Sequence, residues 1–161
     1  MANTILLKRS STPGSVPSAG SLTPGEIAVN SNDGKLFTKK ESGAVIEVNP
    51  RHSKTISIES PTSSEKIVIF YTTEARTISK IMAVLPGGSG SPSVTFSIRY
   101  GSDVSASGTE VVTSGITVTN TTTGSATTSF TNATVPAGNF MWITTSAKSG
   151  TVPALHVTVE F

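Results

Sequence analysis

Ser93-Val94-Thr95-Phe96-Ser97-Ile98-Arg99-Tyr100 decides the fold class. Val94, Phe96, Ile98 and Tyr100 alternate with Thr95, Ser97 and Arg99. Successive side chains of a strand point to opposite faces, so this period of two predicts a strand with one buried side. The same alternation closes the chain, where Leu155, Val157, Val159 and Phe161 are set against His156, Thr158 and Glu160. Phe140-Met141-Trp142-Ile143 places Phe140 and Trp142 on one face and Met141 and Ile143 on the other. Ile67-Val68-Ile69-Phe70-Tyr71 is an unbroken apolar run, the pattern of a strand buried on both faces. Further strands are predicted at 55–58, 77–85, 110–113, 116–120 and 125–130, punctuated by Ser60-Pro61 and Pro86-Gly87-Gly88-Ser89-Gly90. No window has a convincing helical period. About eight strands with short turns predict an all-β, jelly-roll-like β-sandwich over residues 51–161.

Composition agrees. Only 14% of residues are charged and 35% are hydrophobic, and Ser and Thr fill the difference. Thr fits a pleated surface, while Ser, Gly and Pro fit the turns between strands. The net charge is +2, with Lys8-Arg9 and Lys39-Lys40 the only basic doublets, so the clustered cations of a nucleic-acid binder are missing. There is no cysteine, hence no disulfide and no thiolate metal site. No stretch approaches the ~20 apolar residues that span a bilayer. The run Ile5-Leu6-Leu7 is too short for a signal peptide. A soluble protein made in a cytoplasm, without membrane insertion, is expected.

Residues 1–50 read differently. Pro13, Gly14, Pro17, Gly20 and Pro24 predict an extended or looped stretch. Gly25-Glu26-Ile27-Ala28-Val29-Asn30 predicts a short strand, Asp33-Gly34 a hairpin turn, and Lys35-Leu36-Phe37-Thr38-Lys39 the returning strand. A third strand is predicted at 44–48. So short a segment, with no disulfide or metal staple, buries little surface alone. Ile5, Leu6, Leu7, Ile27, Val29, Leu36 and Phe37 are therefore expected to pack on sister subunits, another protein or the C-terminal domain.

Chemistry-bearing motifs are missing. His52 and His156 form no zinc-binding pair and read as surface histidines. Glu110 and Glu160 are the carboxylates most plausible as a facing pair, but no spacing demands it. Asp103 reads as a turn cap. No Gly-x-Ser-x-Gly elbow occurs, and residues 87–91 are a glycine-rich loop without the Lys-Ser/Thr of a phosphate cradle. Trp142 and Tyr100 are either sugar-stacking rings or core; the apolar flanks of Trp142 favour core. Neither cofactor nor metal is expected, and no enzymatic activity.

Leu22-Thr23-Pro24-Gly25-Glu26-Ile27-Ala28-Val29-Asn30, followed by Asp33-Gly34-Lys35-Leu36-Phe37-Thr38-Lys39, resembles a motif near the start of many tailed-phage virion proteins. The lead-in Leu7-Lys8-Arg9-Ser10-Ser11-Thr12-Pro13-Gly14 is also similar, so the likeness spans roughly residues 5–48. Pro92-Ser93-Val94-Thr95-Phe96-Ser97-Ile98-Arg99-Tyr100-Gly101, Val135-Pro136-Ala137-Gly138-Asn139-Phe140-Met141-Trp142-Ile143 and the last six residues resemble a recurrent phage domain. The resemblance implies a structural protein of the virion, a capsid decoration or short head fibre. It also implies a homotrimer held to other virion proteins through residues 1–50. On it, Ile5, Leu6, Leu7, Gly25, Glu26, Ile27, Val29, Asp33, Gly34, Lys35, Leu36 and Phe37 are the candidate attachment and oligomer-interface residues. The alternative is a short tail-fibre protein that binds a host surface glycan or protein through loops at 86–92, 102–108 and 136–139.

Overall fold

The computed structural model describes residues 7–48 and 52–161. The chain divides into two compact units, Met1–Pro50 and Arg51–Phe161. The described residues contain strands, turns and one short 3-10 turn, with no α-helix. The protein is all-β.

The first unit is a four-stranded sheet. β1 (Lys8–Ser10) runs parallel to β2 (Ile27–Asn30), and β3 (Lys35–Lys39) and β4 (Val45–Glu47) follow as an antiparallel meander, in the order β1-β2-β3-β4. The hairpin expected at Asp33-Gly34 joins β2 to β3, and Gly34 takes a φ of +66°, a backbone region in which a Cβ is strained. β1 was not legible in the sequence: Lys8-Arg9-Ser10 has no strand pattern, and parallel pairing with β2 across a connection holding the 3-10 turn Ala19–Ser21 orders it.

The second unit is a β-sandwich. β5 (Ser53–Glu59), β6 (Lys66–Thr72), β7 (Arg76–Thr77), β8 (Lys80–Val84), β9 (Ser89–Gly101), β10 (Thr109–Glu110), β11 (Ile116–Val118), β12 (Ser125–Thr127), β13 (Thr134–Val135), β14 (Asn139–Thr151) and β15 (Ala154–Glu160) follow in turn. One sheet has the order β10-β9-β14-β6, with β11 also on β9; the other has β12-β8-β15-β5; β7 and β13 form a separate pair. The chain crosses between sheets from β5 to β6, β8 to β9, β11 to β12 and β14 to β15. Every strand pair in this unit is antiparallel.

Alternation explains the core. Val94, Phe96 and Ile98 of β9 and Met141 and Ile143 of β14 meet Ile81 and Ala83 of β8 and Leu155, Val157 and Val159 of β15 in one buried cluster. Each of the larger side chains contributes about 1.5–3 kcal/mol by leaving water. Trp142, on the opposite side of β14, is also fully buried. It packs beneath Gly101 and Gly108 at the root of the 102–108 loop.

Two expectations are corrected. The apolar run of β6 is not buried on both faces. β6 is the edge of its sheet, and Val68 and Tyr71 are exposed. Its register against β14 shifts between Met141 and Trp142, leaving Ile69 as an extra residue, so the neighbours Ile69 and Phe70 both lean on the core. A bulge of this kind breaks the period of two and turns alternation into an apparent solid run. The glycine-rich stretch is likewise not all loop. Ser89, Gly90, Ser91 and Pro92 belong to β9, which pairs with β14 as far as Ser89 opposite Thr151.

Candidate attachment surface

The motif residues of the first unit fall into two groups. The polar ones hold the unit together. Asn30 is buried, and its Nδ2 donates to the carbonyls of Thr12 and Ser15 and to Asp33 Oδ2, at 2.8–3.1 Å. Its Oδ1 accepts from the amides of Asn32 and Asp33. Asp33 Oδ2 also accepts the Gly14 amide at 2.7 Å. Lys39 Nζ donates to the carbonyls of Ala19 and Leu22. Together these bonds lace residues 12–22 across one face of the sheet.

Glu26 closes the Thr23-Pro24-Gly25-Glu26 turn by accepting from the Thr23 amide and hydroxyl, and it pairs with Lys8 at 2.9 Å. The Thr23 amide, then the Lys8 ammonium, hold its carboxyl below the ordinary value. The Asn32 side-chain amide, then the Gly14 amide, do the same for Asp33. Lys35 pairs with Glu47 on β4 at 3.1 Å.

The apolar residues divide by face. Register places Ala28 opposite Phe37, and both are buried with Leu22 under the laced segment. They line a cavity of about 190 Å3 shared with Pro17 and Asn30. Phe37, expected to need an outside partner, is thus covered within its own unit. A phenyl ring on the laced face meets Leu22, whose place in a core the proline- and glycine-rich segment gave no sign of.

The other face remains open. Val29 stands opposite Leu36, and Ile27 and Ile46 both stand opposite Thr38. Val48 follows β4, its amide bonded to the Leu36 carbonyl. Leu7, Ile27, Leu36, Ile46 and Val48 are 36–49% exposed, and Val29 is half-buried. Of the anticipated interface residues, Leu7, Ile27, Val29 and Leu36 contribute to this surface. Gly25, Glu26, Asp33, Gly34 and Lys35 shape and lock the unit instead. Ile5 and Leu6 lie outside the described residues. Ile46 and Val48 were missed, although their spacing in the 44–48 strand carried the same signal.

Glu110 pairs with Arg99 at 2.9 Å in one sheet, and Glu160 pairs with Lys80 at 3.1 Å in the other. No cluster of three or more potential metal ligands occurs among the described residues. His156 Nδ1 meets Ser57 Oγ at 2.8 Å on the outer side of β15. Asp103 caps its turn by accepting from the Ser105 hydroxyl and amide, which hold its carboxyl below the ordinary value. No family model, curated protein or solved structure matches the chain significantly.

Proposed function

We propose that this protein is a structural component of a tailed-phage virion, a capsid decoration or short head fibre mounted through its first unit, with the sandwich as the displayed part. One observation carries the reading: the open apolar face formed by Leu7, Ile27, Val29, Leu36, Ile46 and Val48. Soluble proteins seldom leave so contiguous an apolar surface in water, and such a surface marks a binding interface. The laced opposite face makes the unit a preformed platform, so docking orders little new chain. Sister subunits in a homotrimer and a virion shell protein are the partners proposed for this face. The motif likeness described above supports setting both on a phage particle.

The test uses the full chain with Ile27→Asp and Leu36→Asp together. Both side chains are already exposed, so the variant is expected to unfold as the parent does. It is expected to sediment as a monomer and to fail to attach to particles lacking this protein. Full attachment by the folded variant would remove the basis of the reading.

A further inference from the structure

The open face of the first unit is not chemically uniform. β1 runs parallel to β2 with Arg9 beside Val29, and Val29 stands opposite Leu36, so these three side chains share that face. Lys8, one position earlier, points the other way: its Nζ donates to the Ser21 carbonyl in the laced segment and pairs with Glu26. Arg9 and Val29 also border the cavity of the laced face, because the consecutive residues 8–10 and 28–30 form its floor. Besides the six apolar residues already named, register gives the open face Thr38 and Arg9, and no carboxylate. Glu47 stands opposite Phe37 on the other face and is taken by Lys35. Arg9 is exposed, and among the described residues no carboxylate lies within ion-pair distance of it.

This lone charge divides the face. A copy of the chain that laid its own open face over Arg9 would bring apolar side chains and a second arginine, but no acid. A guanidinium taken out of water without a counter-charge costs more than the apolar contact around it returns. A surface that covers the β1 margin must therefore supply a carboxylate, which a guanidinium grips in a two-pronged hydrogen-bonded fork. The opposite margin, with Ile46 and Val48, carries no charge, and a copy of the same face can cover it. The face is four strands wide, roughly 14 Å from β1 to β4, so its two margins can meet different chains.

We infer that the two partners proposed for this face share it, and that the β1 margin seats on a protein other than this chain, through an apolar surface that presents a carboxylate to Arg9. The inference rests on the attachment reading and adds to it the chemistry of the receiving surface.

Attachment of the full chain to particles lacking this protein is measured, and self-association is followed separately by sedimentation. Arg9→Glu is expected to weaken attachment about tenfold or more and to leave self-association unchanged. Arg9→Lys keeps the charge but loses the fork, and is expected to fall between parent and Arg9→Glu. Lys148→Glu, an exposed position in the sandwich, makes the same change in net charge and is expected to attach as the parent does. The Ile27→Asp, Leu36→Asp pair separates two kinds of failure. Full attachment by that pair removes the attachment reading and the inference with it. Loss of attachment by that pair, with Arg9→Glu attaching as the parent does, removes the inference alone. Loss of self-association in Arg9→Glu would show that a sister copy covers Arg9, and an equal loss of attachment in Lys148→Glu would show that net charge governs; either overturns the inference. Arg9 is exposed on an edge strand, so its variants are expected to unfold as the parent does.

Discussion

Asn30 and Asp33 are joined by a 2.8 Å hydrogen bond from Nδ2 to Oδ2, and that carboxylate oxygen also receives the Gly14 amide. The side chain that closes the β2–β3 turn thereby becomes the anchor for the segment crossing the sheet. Asn30→Ala leaves the Thr12 and Ser15 carbonyls without their donor and empties a buried site. It is expected to destabilise the first unit by about 1–3 kcal/mol. Urea unfolding followed by proteolysis within residues 11–23 checks this. The sandwich is expected to unfold at the parent midpoint.

Acid acts on the same anchor. The folded-state pKa values of Glu26 and Asp33 are depressed. Their contribution is therefore complete above the ordinary carboxylate range near pH 4 and is lost as pH falls through the depressed values. Amide exchange of residues 12–26 is expected to be slow and constant from pH 6 to 8, after correction for intrinsic rates, and to accelerate below about pH 4. Asp33→Asn is expected to raise exchange at neutral pH and flatten the acid response. An acid response as steep as the parent's would show that another group governs it.

The two faces of the first sheet predict opposite phenotypes for neighbouring residues. Phe37→Ala removes a buried ring, and the expected loss is about 3 kcal/mol. Leu36→Ser, one position earlier and on the open face, is expected to change stability by no more than about 0.5 kcal/mol. It is expected instead to weaken self-association measured by sedimentation. A Leu36 variant that unfolds early, or associates as the parent does, would contradict the assignment of faces.

Gly108 has a φ of +66°, and a Cβ there would stand 2.5 Å from Cζ2 of Trp142 and 2.8 Å from the Tyr100 carbonyl oxygen. Gly108→Ala therefore meets both backbone strain and a collision with a buried ring, and is expected to cost about 2 kcal/mol or more. Trp142 Nε1 is buried with no hydrogen-bond partner among the described residues. Trp142→Phe keeps an aromatic ring in the site, and is expected to cost less than the roughly 3–5 kcal/mol of truncation to Ala. Thermal unfolding of the three variants orders them.

What the sequence determined by itself was the class and the order of elements. Alternation in β9, β14 and β15 announced strands and named their buried sides, because period two is a local property of the backbone and needs no partner. Asp33-Gly34 located a hairpin for the same reason. Tertiary structure decided what depends on partners distant in the chain. The bulge that lets Ile69 and Phe70 both face inward arises only against Met141 and Trp142. Ser89, Gly90 and Ser91 become strand only because β14 runs on to Thr151 beside them. Leu22 and Phe37 are core only because Asn30 and Lys39 fasten the loop over them.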